Sequence, residues 1–476
     1  IAPILSIMRL AKNQNTKDGA NLMLLQNDSF ENTPNAFYQA VKTLQITKLL
    51  HMSNVRKACG KPVGEVFQFL ILLAFQGKNL FRFLNSNHAA QAGAQKNTFY
   101  RFMSDPSYNW KKFLLLLAAK VINNLHPLTK QSRVKVFILD DSTIARNRSK
   151  KVELLARIFD HVSHKFVKGF TLLTLGWSDG YSFIPLAFNL LSSAKDSNRY
   201  QEISASIDHR TNGYKARLES MLHKPDAALL LLKNALEAGI CADYVLMDTW
   251  FTTEPFINSI RDLGLDVIGM VKQLKQRYMF HGKAYTLEQL QKIAPCKSAK
   301  ECFGSLVVYT KKHHIPVKIV FVRNRNKRSE CLYILSTDIE LSDAEIIRIY
   351  GNRWSIEVFF KASKSLFKLG KEVQSRSYNA NICHTTIVFT RYILLEWIRR
   401  NENDPKTYGI LFFDMCDDIQ DMELVDAFKS LMKLFVEIAN DFATENTETI
   451  KSKLKDWITS QTRFVQALFA NLCWES

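Results

Sequence analysis

A chain of 476 residues that is 47% apolar and 23% charged can hold two or three domains and is too apolar to be disordered. Its 64 Lys and Arg against 45 Asp and Glu leave a net charge of +19, which points to a polyanionic partner, nucleic acid being the commonest. The most apolar run, 66–75 (VFQFLILLAF), is about half the length a membrane helix needs, so no membrane partner is expected.

No signal peptide is visible, and the chain begins at Ile1 with no Met. The eight cysteines form no CxxC pair. Cys296 and Cys302 are nearest each other and lack zinc-site spacing. All eight read as reduced, mostly buried thiols of a cytosolic protein.

Charge is uneven along the chain. Residues 34–113 hold eleven Lys or Arg and two Asp or Glu, whereas 401–476 hold seven and fourteen. Residues 1–33 carry little pattern and read as a loosely ordered terminus. From Pro34 onward, segments near 36–50, 63–76, 78–85, 96–104 and 109–125 place apolar residues at helical spacing. This predicts an all-helical basic domain over 34–130. The scarcity of acids there suits DNA contact, and Lys96, Thr98 and Arg101 could be offered to it. A helical bundle with solvated charges is the plainer alternative.

At Val134 the period changes. VKVFILDD (134–141) is an apolar strand closed by two carboxylates. GFTLLTLGW (169–177) and YSFIPLAFNLL (181–191) are two more strands, joined by the tight turn Ser178-Asp179-Gly180. After a polar, Lys/Arg-bearing connection come a helix (227–238), a strand (244–248), a helix (about 253–263) and a strand (265–270). Three antiparallel strands followed by helix–strand–helix–strand is the order of a ribonuclease-H-like α/β core, here spanning 131–400. Short strands RYMF, SLVVYT, PVKIVFVR and CLYILS make a β-rich insertion at about 271–337. A long helix follows at about 380–400. The acidic region 401–476 reads as helical, near 422–440 and 448–472.

The stretch 350–364, YGNRWSIEVFFKASK, reads as one helix. At 100° per residue, Tyr350, Arg353, Glu357 and Lys364 share a face about 60° wide. A carboxylate there can hold a metal ion, and the flanking cations can hold phosphates. An exposed helix with an Arg353–Glu357 salt bridge is the plainer reading. Asp141 ends the first strand, Asp248 the fourth, and Glu357 sits on this helix; each lies more than a hundred residues from the next. Three convergent carboxylates suit hard cations such as Mg²⁺, and two such ions about 3.5–4 Å apart catalyse phosphodiester transfer. Asp248 could equally be a turn former. Asp140 and Asp141 point to opposite faces of their strand, so only one can face the site, and the spacing leaves open which. GxxxxGK[ST], GxGxxG, HExxH and GxSxG are absent. His161 and His164 read as loop residues.

Tyr350, Arg353, Glu357 and Lys364 match a Tyr-x2-Arg-x3-Glu-x6-Lys pattern, and the chain resembles the "insertion sequence four" family of bacterial DDE transposases over about 134–400. Asp141-Ser142-Thr143 matches the family's first Asp motif better than Asp140 does. Leu246-Met247-Asp248-Thr249-Trp250-Phe251 matches the second. The resemblance implies a DNA transposase that cuts and pastes a mobile element through a hairpin end. It implies that Asp141, Asp248 and Glu357 bind two Mg²⁺ ions, with Mn²⁺ able to substitute, and that Tyr350, Arg353 and Lys364 contact the terminal phosphates. It further implies a homodimer on paired inverted repeats and target DNA, acting at the bacterial nucleoid. An aromatic of the insertion would hold a flipped base, with Tyr333 as the nearest match. A structure-specific or domesticated nuclease, or a transposase-derived repressor, are the rival readings.

Overall fold

The apolar run before Asp140 becomes the centre of a sheet. In the computed structural model, described for residues 36–86, 89–129, 133–273, 276–295, 302–324, 330–372, 375–401, 405–420, 431, 434 and 447–460, β1 (Val136–Ala145) buries Val136, Phe137, Ile138 and Leu139 completely. Complete burial on both faces suits a strand with helices packed above and below it. β2 is Ala156–Asp160, β3 Lys165–Ser178 and β4 Phe183–Leu191. β1 runs antiparallel to β3 and parallel to β5 (Tyr244–Met247), and β5 runs parallel to β6 (Asp266–Val271). The turn between β3 and β4 uses Gly180 at φ 81°. Asp179 Oδ1 closes it by accepting from the amides of Tyr181 and Ser182 at 3.0 and 2.7 Å.

The strands after β6 extend the same sheet. β11 (Cys331–Ser336) pairs with β6, and β10 (Pro316–Arg323), β9 (Cys302–Thr310), β7 (Tyr278–Phe280) and β8 (Lys283–Tyr285) follow in that order. Among the described residues this makes one 11-stranded sheet. The molecule is thus mixed α/β with a large sheet core.

Helices α1 (Ala36–Thr43), α2 (Ile46–Met52), α3 (Val63–Leu72), α4 (Leu80–Leu84), α5 (Lys96–Ser104) and α6 (Trp110–Leu125) form the first part of the chain. α7 (Asn212–Ser220) and α8 (Lys224–Glu237) lie between β4 and β5, α9 (Glu254–Arg261) precedes β6, and α10 (Leu287–Ile293) precedes β9. The stretch expected as one helix is two: α11 (Asp343–Gly351) and α12 (Trp354–Ser365). Gly351 and Asn352, poor helix formers, sit at the joint. There the amides of Asn352 and Arg353 reach back only three residues, to Ile349 and Tyr350 at 3.0 Å, a locally tightened turn.

α13 (Tyr378–Asn401) is buried along most of its 24 residues. It packs on α1, α3, α5, α6, α12 and β4, so the first helices and the sheet share one apolar core. The expected helices near 422–440 and beyond 460, and the region 1–33, lie outside the described residues, apart from helical positions 431 and 434; Thr447–Ser460 is helical. Among the described cysteines, Cys302 and Cys383 are buried, Cys331 and Cys416 half-buried, and Cys59 and Cys241 exposed, so the thiols are less uniformly buried than expected. No helix among the described residues is long and apolar enough to cross a membrane.

Candidate active site

β5 ends beside the middle of β1, which runs on to Ala145, so Asp141 does not end its strand as expected. Their last ladder pair is Leu139 and Met247, so the next residues on the two strands are Asp140 and Asp248. α12 packs against β1 and brings Arg353 to Asp140, with Nη1 3.2 Å from Oδ2. The same guanidinium bonds Glu357 through Nη2. Lys364 Nζ donates to Ser142 Oγ at 2.6 Å. Asp140 and Ser142 are two apart and share a strand face, and that face meets α12.

Asp141 points the other way. Its Oδ1 lies 3.0 Å from Lys224 Nζ, at the start of α8, and Lys224 sits 4.0 Å over the Trp250 ring. The acid that shares Arg353 with Glu357 is therefore Asp140, while Asp141, expected from the sequence among the site carboxylates, meets Lys224 instead. The reason is strand alternation: a one-residue shift sends the side chain to the opposite face.

Burial pushes the Asp140 carboxyl up to about 7 against the pull of Arg353, with Asp248 and Asp141 adding to the rise. Burial likewise raises Tyr350 to about 12, so its hydroxyl stays a donor at neutral pH. Tyr350 remains close to Arg353, whose guanidinium lies 6.0 Å from its ring centre. Arg353 is lowered by burial, but Tyr350, Asp140 and Glu357 more than compensate and hold its pKa above normal. Burial lowers Lys364, with Asp160 opposing. Asp248 also builds a turn: its Oδ1 accepts from the Trp250 and Phe251 amides at 3.0 and 3.3 Å.

Among the described residues no three His, Cys, Asp or Glu side chains converge as a ready metal cage. A guanidinium, held between Asp140 and Glu357, provides the cation there. The donor chemistry still fits a hard divalent ion: carboxylate oxygens, those of Asp140 largely buried.

Lys96 and Arg101 lie exposed on α5, whose Phe99, Phe102 and Met103 face the core; they are not among the groups touching the carboxylates. Tyr333 is buried in β11 and donates to Gln291 Oε1 at 3.1 Å, so its ring is not offered to a base. His161 and His164 lie in the β2–β3 turn. Lys224, just before the helix expected at 227–238, carried no signal in the sequence.

Acids clasped by cations where β1 runs past the end of β5 have the chemistry to meet a phosphodiester. Residues 71–284 match the DDE superfamily endonuclease family and residues 222–394 match the transposase DDE domain. The first span contains Asp140, Asp141 and Asp248, and the second Asp248, Arg353, Glu357 and Lys364. These matches support a DDE transposase, a nuclease-type enzyme. Compared with curated proteins, the chain matches none. Among solved structures it is similar to the Drosophila P element transposase strand transfer complex, at 10% identity over 91% of each chain with a TM-score of 0.20, a likeness too weak to carry an argument.

Proposed function

We propose that this chain is an insertion-sequence transposase that binds the ends of a mobile element, cuts them and transfers the strands to target DNA. The observation that carries the reading is Arg353 held between Asp140 and Glu357, with Asp248 on the adjoining strand end. The strand order β4–β3–β1–β5–β6, antiparallel through β1 and parallel beyond it, supports a ribonuclease-H-like core. The spacing of Tyr350, Arg353, Glu357 and Lys364 supports the "insertion sequence four" type.

In this reading Asp140, Asp248 and Glu357 hold the metal, with Asp140 in the place first expected for Asp141. Mg²⁺ or Mn²⁺, as a pair, would activate water or a 3′ hydroxyl and stabilise the leaving oxygen. Arg353 exchanges its carboxylate partners for a DNA phosphate. Lys364 and the Tyr350 hydroxyl hold the same phosphate while a strand end folds back into a hairpin. Residues 34–130, basic and helical, read the terminal repeats through Lys96 and Arg101, and residues 271–337 act as an insertion in the catalytic domain 131–400. A homodimer on paired ends, working at the nucleoid, completes the scheme.

The test is incubation of the full chain with end-labelled duplex carrying the element's terminal repeats, with Mg²⁺ or with EDTA. Nicks and hairpins in Mg²⁺, absent in EDTA and in Asp140→Asn, are expected. Cutting without joined products would favour a plain nuclease, and no metal-dependent cutting would overturn the enzyme reading.

A further inference from the structure

The hairpin of β2 and the start of β3 has an outer face that the carboxylate cluster does not use. Its register pairs Arg157 with Lys168 and Phe159 with Phe166, so the four side chains share one face. Phe159 is 39% exposed, Phe166 58% and Val162, in the turn, 90%. The two rings meet edge to face, 5.3 Å apart. Arg157 stacks 3.9 Å over Phe166, and Lys168 Nζ lies 4.6 Å over Tyr200, a ring that is also exposed. The loop leading into β2 adds exposed Arg148, Lys150 and Lys151.

The hairpin adjoins the cluster through its other face. Asp160, at the end of β2, accepts a hydrogen bond from the Thr143 side chain on β1 and acts electrostatically on Lys364. The Arg146 amide, just past β1, donates to the Lys168 carbonyl at 2.6 Å. The hairpin therefore stands beside the end of β1, next to Lys364, with its outer face open to a strand that passes its edge.

Cations alone would serve any DNA. Exposed rings interleaved with cations suit a strand whose bases are unstacked, because the cations follow phosphates and the rings take base faces that a duplex hides. We propose that the outer face of this hairpin binds an unpaired stretch of DNA beside the cleavage point. The inference rests on the reading of the chain as a DNA-cutting transposase.

The test is fluorescence anisotropy of the full chain with a labelled single strand of about 20 nucleotides and with the same sequence as duplex. The double variant Phe159→Ala/Phe166→Ala should bind the single strand about tenfold more weakly and the duplex within about twofold of the native chain. Phe159→Leu/Phe166→Leu keeps apolar bulk, guards against misfolding, and should show the same loss. Arg157→Ala/Lys168→Ala should weaken both ligands and flatten the salt dependence. Unchanged single-strand affinity in the folded Leu variant, with Mg²⁺ cleavage intact, would overturn this inference alone. So would a native dimer that the Leu variant converts to monomer, since the rings would then face a second copy. A chain that neither binds nor cuts DNA would instead overturn the transposase reading.

Discussion

At the residue scale, the division between Asp140 and Asp141 makes the sharpest prediction. Asp140→Asn, Asp248→Asn and Glu357→Gln should each lower strand cleavage about a hundredfold or more, with end binding largely kept. Asp141→Asn, which loses only its Lys224 partner, should cut within about tenfold of the native chain. Gel analysis of labelled duplex reads both, and the reverse ranking would return the role to Asp141. Arg353→Ala, Lys364→Ala and Tyr350→Phe should spare first-strand nicking more than hairpin closure. Closure must hold a phosphate through a sharp bend, against charge repulsion. Equal loss of both products would make these residues general DNA holders.

Asp140 also sets a pH dependence. Its carboxyl stands at about 7 in the fold against an ordinary 3.8, chiefly through burial. A raised folded pKa favours the fold fully below the ordinary value, and this contribution is lost as pH climbs through about 7. In metal-free buffer, Asp140→Asn should therefore gain stability relative to the native chain between pH 5 and pH 8, as melting curves would show. A gain confined to acid pH would contradict the sign.

At the element scale, Glu153 ties three separate segments together. It accepts from Arg217 Nε and Nη2 on α7 at 2.7 and 2.6 Å, from the Ser204 amide at 3.0 Å and from the Tyr378 amide at the start of α13 at 3.1 Å. Burial would raise this carboxyl, but Arg217 and the two amides hold it below the ordinary range. A depressed pKa contributes stability above the ordinary value, and that stability is lost as pH falls through the folded value. Glu153→Gln leaves the buried Arg217 without its carboxylate, at an expected cost of about 3–5 kcal/mol. It should also flatten the acid limb of the stability curve. Chemical denaturation at pH 7 and pH 4 checks both.

At the scale of the molecule, the basic first helices are joined to the rest. The fully buried Arg391 donates to the carbonyls of Leu70 and Ile71 at 2.6 and 2.8 Å and to the Phe367 carbonyl at 2.9 Å, and pairs with Glu372. A fragment ending after α6 would lose those bonds and the α13 surface, so DNA reading is better tested in the whole chain. Binding to element ends should weaken with salt at a log–log slope of about −0.9 per phosphate neutralised. Lys96→Glu/Arg101→Glu should make that slope shallower by about two phosphates if α5 touches DNA. An unchanged slope would move recognition elsewhere.

Much of this was determined locally. Continuous apolar runs became β1, β3 and β4, which are buried on both faces, and helical spacing marked α3, α5, α6 and α8, because one buried face imposes its period on a helix. The short β2, β8 and α10 left too little periodicity to read, and the break between α11 and α12 hid in a stretch whose pattern runs straight across it. The spacing of Tyr350, Arg353, Glu357 and Lys364 marked the candidate site, since those groups lie within a few turns of one another. Which of Asp140 and Asp141 meets Arg353 was tertiary. Neighbours on a strand are chemically identical until a helix packs on one face, and α12 covers the face that holds Asp140. The burial of the Tyr333 ring was decided the same way, by strands far apart in the chain. Lys224 reached Asp141 only because β1 and the start of α8 meet in space.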